Sequence, residues 1–462
     1  MGEAVAVLDV GKTHTKLTLV DYDGGVVASR ARANAAPLRD GRRVLDAERI
    51  ETWVIGALKG LAEAADIVAI APVGHGAAAA LVADDRLAAP VMDYEAPPPD
   101  EVSAAYDAER DPFELTGSPR LPLGLNLGQQ LYWQEQLYPN VWPARSQALL
   151  WPQYWAWRLS GERASEVSSL GCHTDLWRAV GGGYSPLAER RGWAERLAPI
   201  KPAHDVLGAV RPALAAEIGL KPYCNVVCGL HDSNASLCAT RALAEVEGRP
   251  FTLVSTGTWF VSFQSGGEPT ALDPDRDTLA NVDIGGRPVA SARFMGGREY
   301  EEILGEGLGA RASLEGAARI VEAGVRTRPA FAPGGPFAGR AGVILGAPGT
   351  ITKRASLASL HLALMCDVEI DLIGGQGPVV IEGRFAGDPV FPAALATLRR
   401  DRKVYAVAGG GDAVAVGAAR LVWPHLRPQT PLARIEPAPF DLAAYARAWR
   451  EDANAKPVPT RA

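Results

Sequence analysis

Long apolar runs, blocks of one charge and an ordered set of cysteines are all missing from this chain, and each absence removes a class of function. Its 462 residues include five cysteines, Cys172, Cys224, Cys228, Cys238 and Cys366. They make no even framework and point to a reducing compartment. Cys224 and Cys228 lie one helical turn apart, but no second Cys pair or His-x-x-x-His completes a zinc set, so they read as buried small residues. Lys and Arg total 47 against 53 Asp and Glu, a net charge of −6 with no long single-sign block. Nucleic acid and acidic membranes are therefore poor partners. The apolar stretch 77–83 is far too short to span a bilayer. Met1-Gly2-Glu3 lacks a basic n-region, and Ala6 stands where a myristoylation signal wants Ser or Thr. A soluble cytoplasmic protein is expected.

What is present is ample apolar material, 47% of the residues, enough for two domains. Residues 67–71 read as a buried strand and 50–65 as a helix with Trp53, Val54, Ala57, Leu58 and Leu61 on one face. Another buried strand spans 225–230, and a helix starts at 231–239. Strands alternating with helices predict an α/β fold with a largely parallel sheet. The spacing of Trp151, Tyr154, Trp155 and Trp157 puts these rings on a helix, where packing is the better reading than sugar stacking. The boundary falls near 243–250, giving domains 1–244 and 245–452, the latter closed by a helix from Phe440 to Trp449, and a tail 453–462.

Two segments carry the chemistry. Val5 to Val20 reads as a strand ending in Asp9, a tight Gly11-Lys12-Thr13 turn and a second alternating strand containing Lys16. Such a tip offers backbone N–H groups and two cations to an anion, beside a carboxylate able to hold a metal ion. Phe251 to Phe263 repeats the pattern around Thr256-Gly257-Thr258 roughly half the chain later. Two such hairpins heading the two halves suggest a duplicated fold closing on one nucleotide.

Together with the loop Gly74-His75-Gly76, with Gly229-Leu230-His231-Asp232 followed by Ala235, and with Gly417-Ala418-Ala419, these segments form an ordered set that resembles the FGGY carbohydrate kinases. The likeness runs from Asp9 to the helix at Phe440, and within the family it is greatest to the rhamnulose and fuculose kinases. It implies a duplicated actin-like, ribonuclease H-like fold of two domains, with the active site in a cleft between them. It further implies an N-terminal sugar-binding and catalytic domain, a C-terminal nucleotide-binding domain, and ATP with Mg²⁺. By this resemblance Asp232 is the catalytic base and Asp9 holds Mg²⁺. Gly11, Lys12, Thr13 and Lys16 line one side of the phosphates; Thr256, Gly257 and Thr258 line the other. The chain departs from the family at Lys12, where a hydroxyl residue is usual, and on the adenine side, where a glycine-rich stretch is replaced by 381–385, containing Gly383, and 409–412, containing Gly410. The sugar is expected against Gly74, His75, Gly76, Tyr94, His231 and Asp232. Asn126 and Gln130 join them as polar residues in the otherwise apolar stretch 121–131.

Each residue also has a plainer reading. Asp232 alone reads as a helix N-cap, Asp9 as an Asx-turn residue, and Gly257 as a hairpin glycine. His75 and His231 read as loop or core histidines, and Gly417 as a site of close helix packing. The order of the set favours the functional readings together, and the resemblance then implies an enzyme that phosphorylates a small ketose, a 6-deoxyhexulose such as L-rhamnulose or L-fuculose foremost. Other pentuloses and hexuloses, a phosphohydrolase of the same fold and a nucleotide- and sugar-binding sensor without turnover are the rivals, and a homodimer is left open.

Overall fold

The computed structural model describes residues 2–142, 146–267, 271–306, 309–407 and 412–455. The chain forms two compact units, Met1–Ala244 with Ala280–Pro288 and Asp412–Gln429, and Glu245–Leu279 with Val289–Gly411 and Thr430–Ala462. The first unit is built on β1 (Glu3–Val10), β2 (His14–Asp21), β3 (Val26–Ala33), β4 (Asp66–Gly74), β5 (Val206–Ala209), β6 (Asn225–Val227) and β7 (Leu230–His231). Their order is β5-β6-β4-β1-β2-β3, with β7 also paired to β4. β1 runs antiparallel to β2 and parallel to β4, and β4 is parallel to β6 and β7.

Alternation along β1 sorts the side chains between two faces, as the pleat requires. Ala4, Ala6, Leu8 and Val10 pack with Ile50, Val54 and Leu58 of α1 (Ala47–Leu61). Val5 and Val7 face the other way, against Ala235, Ala415 and Ala418. Both faces are thus covered, as a parallel sheet demands. Asp46 caps α1, accepting the Arg49 N–H. α2 is Leu127–Leu137, and α3, Trp151–Ser160, carries the aromatic run. Trp151, Tyr154, Trp155 and Trp157 all lie in the core over β1 and β4, where they pack rather than present a ligand surface.

The second unit repeats the plan. β8 (Phe251–Thr256) and β9 (Phe260–Ser265) form the hairpin, and the same sheet holds β10 (Thr278–Val282) and β11 (Pro288–Phe294), whose residues 280–282 and 288 group with the first unit, then β12 (Val379–Gly383), β13 (Val404–Val407) and β14 (Leu432–Arg434). The order is β10-β11-β9-β8-β12-β13-β14. β8 is antiparallel to β9 and parallel to β12, which is parallel to β13. The run β3-β2-β1-β4-β6 of the first sheet therefore has its counterpart in β11-β9-β8-β12-β13, and the duplication expected from the two hairpins is present. The α/β class and the two-part, twofold-repeated architecture hold.

Residues 280–288 and 412–429, which the sequence assigned to the second domain, group with the first unit. The cause is packing. α4 (Asp232–Thr240) lies against α6 (Ala413–Ala419), α5 being the long helix Ile351–Leu372. A Cβ at Gly417 would come within 1.8 Å of the Ala235 carbonyl oxygen, so only glycine permits this approach. The closing helix, α7, spans Ala443–Asn454. Among the described residues no helix is long and apolar enough to cross a membrane, and the five cysteines are buried free thiols.

Candidate active site

Strand register brings distant residues together at the carboxyl ends of β1, β4 and β7. Asp9 pairs with Val73, and Val73 with Leu230; Val10 pairs with Gly74, and Gly74 with His231. Asp9, the Gly74-His75-Gly76 loop and His231-Asp232 thus share one sheet edge, spread over about 10 Å at the usual strand spacing. In α/β sheets this edge is where ligands bind. The glycines are required by space. A Cβ at Gly74 would lie 2.9 Å from Trp151 Cδ1, and one at Gly76 would lie 2.1 Å from Cys172 Sγ. The Trp151 indole N–H donates to the Val10 carbonyl at 3.1 Å and anchors the end of β1.

Asp232 is the first residue of α4, and His231, the residue before it, makes no side-chain cap bond. The Asp232 Oδ1 accepts the Ser233 N–H at 2.6 Å and lies 3.2 Å from His231 Nε2. Its Oδ2 takes no hydrogen bond among the described residues. Asp9 is partly buried and likewise accepts none, so the Asx-turn reading finds no support. Burial first, then the charge of Asp232, push the Asp9 carboxyl up to about 7, with Lys16 opposing. Two carboxylates repelling each other in a poorly solvated place fit a hard cation. Among the described residues no three His, Cys, Asp or Glu gather as a metal cage, so a bound Mg²⁺ would draw most of its ligands from water and phosphate.

The tip of the first hairpin is held by its own backbone and by Asn34. The Gly11 N–H donates to the His14 carbonyl at 3.0 Å. Asn34 Nδ2 donates to the Gly11 carbonyl at 2.8 Å, and its Oδ1 accepts from Thr15 Oγ1 at 2.8 Å. The N–H groups of Lys12 and Thr13 have no acceptor among the described residues. The Thr13 hydroxyl is exposed, 3.1 Å from His14 Nδ1. Lys16 lies 3.7 Å from Asp412 and acts on Asp9. Lys12, expected at the phosphates, turns elsewhere. Its ammonium donates to the fully buried Asp93, lies 3.3 Å from Glu95 and covers the Tyr94 ring at 5.3 Å. Those acidic partners stand 81 or more residues along the chain, beyond the reach of local pattern.

Between these elements lies a group of buried polar atoms without partners: both ring nitrogens of His75, Nδ1 of His231 and Oε1 of Gln130. The His75 ring meets Tyr94 edge-on at 5.6 Å. Burial pulls the His75 imidazole down to about 4, against the pull of Asp232, so it is neutral at ordinary pH. Gln130 Nε2 donates to the Ala77 carbonyl at 2.8 Å and the Gly124 carbonyl at 2.5 Å, which fixes the amide and leaves its oxygen open. Asn126 behaves differently from expectation. Its Nδ2 is shared among Ser118 Oγ and the Pro119 and His173 carbonyls and Asp175, while Oδ1 accepts the Leu121 N–H. The amide is a bracket within the fold with nothing left for a ligand.

In the second unit Thr256, Gly257, Thr258 and Gly383 form one tip. Thr256 pairs with Gly383 as Val10 pairs with Gly74. The Thr256 hydroxyl donates to the Glu382 carbonyl at 2.5 Å and accepts the Phe385 N–H at 3.0 Å, a bracing role. Gly383 has φ +86°, and a Cβ there would lie 2.2 Å from the Thr256 carbonyl oxygen. At Gly257 neither constraint applies: φ is not positive, and an added Cβ would meet nothing nearer than 3.7 Å. Thr258 is exposed. Gly410 and the tail 456–462 lie outside the described residues. Asn34 is the site residue with least local signal in the sequence, a polar residue just after an alternating strand; Asp93, in the Met92-Asp93-Tyr94 turn expected to bound the sugar, instead holds the Lys12 ammonium.

The pattern described as "Carbohydrate kinase FGGY, C-terminal domain" matches residues 248–431. A carbohydrate kinase from Novosphingobium aromaticivorans is 44% identical, with a TM-score of 0.91 over 97% of this chain and 100% of that one. Plasmodium falciparum glycerol kinase with ADP, 12% identical, superposes with a TM-score of 0.76 over 98% of this chain and 97% of that one, a likeness of fold. The L-fuculokinase of Salmonella typhi is 26% identical over 282 residues, 58% of each chain, so this chain spans little more than half of that relative. The protein belongs to the FGGY family of carbohydrate kinases.

Proposed function

We propose that this protein transfers the γ-phosphoryl group of ATP to a hydroxyl of a small ketose, with 6-deoxyhexuloses such as L-fuculose or L-rhamnulose favoured. The observation that carries the reading is the convergence of Asp9, His75 and Asp232 on one edge of the first sheet. The fuculokinase likeness supports the sugar class. ADP in the glycerol kinase of the same fold supports the nucleotide.

Phosphoryl transfer asks of a protein mainly placement, charge balance and an acceptor for the nucleophile's proton. In this reading Asp232 Oδ2 accepts the hydrogen bond of the sugar hydroxyl, while Oδ1 is fixed by Ser233. A carboxylate is too weak to ionise an alcohol beforehand. It orients the hydroxyl and takes the proton late, once the P–O bond is forming. His75, neutral, offers one N–H donor and one acceptor, which matches a neutral polyol rather than a charged ligand. Gln130 Oε1 adds an acceptor. The half-buried Tyr94 ring gives an apolar wall suited to a 6-methyl group.

The Lys12 and Thr13 N–H groups, with Lys16, receive phosphate oxygens on the first unit; Gly257 and Thr258 do so on the second. Bound Mg²⁺, held near Asp9, would offset phosphate charge. The first unit would then be the sugar-binding and catalytic domain, the second the nucleotide-binding one. A ketose panel followed by coupled ADP release tests this: turnover should be sugar-dependent, with little basal hydrolysis. ATP hydrolysis indifferent to every sugar would overturn it.

A further inference from the structure

Behind the candidate base, the first unit holds a carboxylate that phosphoryl transfer does not call on. Glu166 is fully buried and precedes the short helix Val167–Leu170. Its Oε1 accepts the Ser168 N–H at 2.9 Å. Its Oε2 accepts the Ser169 N–H at 3.0 Å, the Ser168 hydroxyl at 2.7 Å and the Ser169 hydroxyl at 3.1 Å. Four neutral donors thus meet the two oxygens and offset the cost of burying the group. The two serines serve Glu166 alike but differ in what lies beyond them. Ser168 Oγ, with its proton given to Glu166, accepts the backbone N–H of His231 at 3.3 Å. Ser169 Oγ makes no bond among the described residues except the one to Glu166.

His231 ends β7, directly before Asp232, and its ring Nε2 lies 3.2 Å from Asp232 Oδ1. The same stretch of chain is braced two residues earlier by Gln153, whose Nε2 donates to the Cys228 carbonyl at 3.2 Å and the Gly229 carbonyl at 3.3 Å. Ser168 is the brace that reaches the residue next to the base. We propose that Ser168, oriented by Glu166, is a positioning residue for Asp232: it fixes the His231 backbone, and with it the direction in which the Asp232 carboxyl leaves the start of α4. This rests on the phosphoryl-transfer reading above. A hydroxyl that donates to a carboxylate is a stronger acceptor for the next donor, because bonds in a chain polarise one another. Proton acceptance is sensitive to such placement, a shift of about 1 Å costing on the order of 10²-fold in rate.

Steady-state ADP release by Ser168→Ala and Ser169→Ala, each in the wild-type and the Asp232→Asn background and each with a melting curve, tests the proposal. Both variants lose a hydroxyl bond to Glu166, so both should melt below wild type. Only Ser168→Ala should lower kcat, about tenfold, with KM for ketose and for ATP within about threefold of wild type. Ser168→Thr, which keeps the hydroxyl, should recover most of that loss. In the Asp232→Asn background Ser168→Ala should lower kcat no further, since it acts through the missing carboxylate. Unchanged kcat in Ser168→Ala would overturn the proposal. An equal fall in both serine variants, or a further tenfold fall on top of Asp232→Asn, would overturn it as well, since either marks general loosening. A wild type without sugar-dependent turnover would instead fail the kinase reading, and this inference with it.

Discussion

Replacing Asp232 by Asn removes a proton acceptor while leaving the local architecture its supports. The Asn Oδ1 can still accept the Ser233 N–H that Asp232 accepts at 2.6 Å, and α4 takes no side-chain cap from His231. The fold should therefore survive. Loss of a positioned base lowers turnover by about 10²–10⁴, or roughly 3–5 kcal/mol of barrier. The substitution also removes the charge that helps push Asp9 up to about 7, so the metal-free variant should be no less thermally stable than wild type. The assay is coupled ADP release at saturating ketose beside a melting curve. Turnover within a few-fold of wild type, with the melt unchanged, would refute the base assignment.

Four further outcomes follow from the same geometry. Lys12→Ala leaves the fully buried Asp93 without its main cation, so urea unfolding should show a loss of about 3 kcal/mol, while KM for ATP changes little. Gly257→Ala should leave stability alone, since a Cβ meets nothing nearer than 3.7 Å, and raise KM for ATP about tenfold. Gly76→Ala drives a Cβ to 2.1 Å from Cys172 Sγ and should cost about 2 kcal/mol, read as a lowered melting temperature. The pH profiles of Asp9 and His75 run in opposite senses. Asp9 moves from 3.8 to about 7, so between those values the native state keeps a proton the unfolded chain has lost, and stability falls as pH rises. His75 moves from 6.5 to about 4, so there the unfolded chain holds the extra proton, and stability rises with pH. In metal-free buffer the melting difference Asp9→Asn minus wild type should grow across that window, and His75→Gln minus wild type should shrink.

Much of the frame was legible because it is local. The alternation of Val5–Val20 and Phe251–Phe263, each broken at one glycine, gave both hairpins, and the strand 67–71 lies within the observed β4, Asp66–Gly74. The convergence of Asp9 with Asp232 could be read only through resemblance, since sheet register joins residues more than two hundred positions apart. Lys12 and Asn126 mark where local reading ended. Each looks available in sequence, yet each is consumed by partners from other elements, Asp93 and Glu95 for the one, Ser118 and Asp175 for the other. The return of 412–429 to the first unit rests on the Gly417 contact with α4, which small residues hint at without naming the partner.

Whether phosphate passes to the sugar is read by following ATP and L-fuculose by ³¹P NMR in the presence of the protein and Mg²⁺, with the other ketoses in parallel. A new phosphomonoester signal should rise in step with ADP, be absent without sugar and be nearly absent in Asp232→Asn. Inorganic phosphate in place of a monoester, or ATP left intact with every ketose, would contradict it.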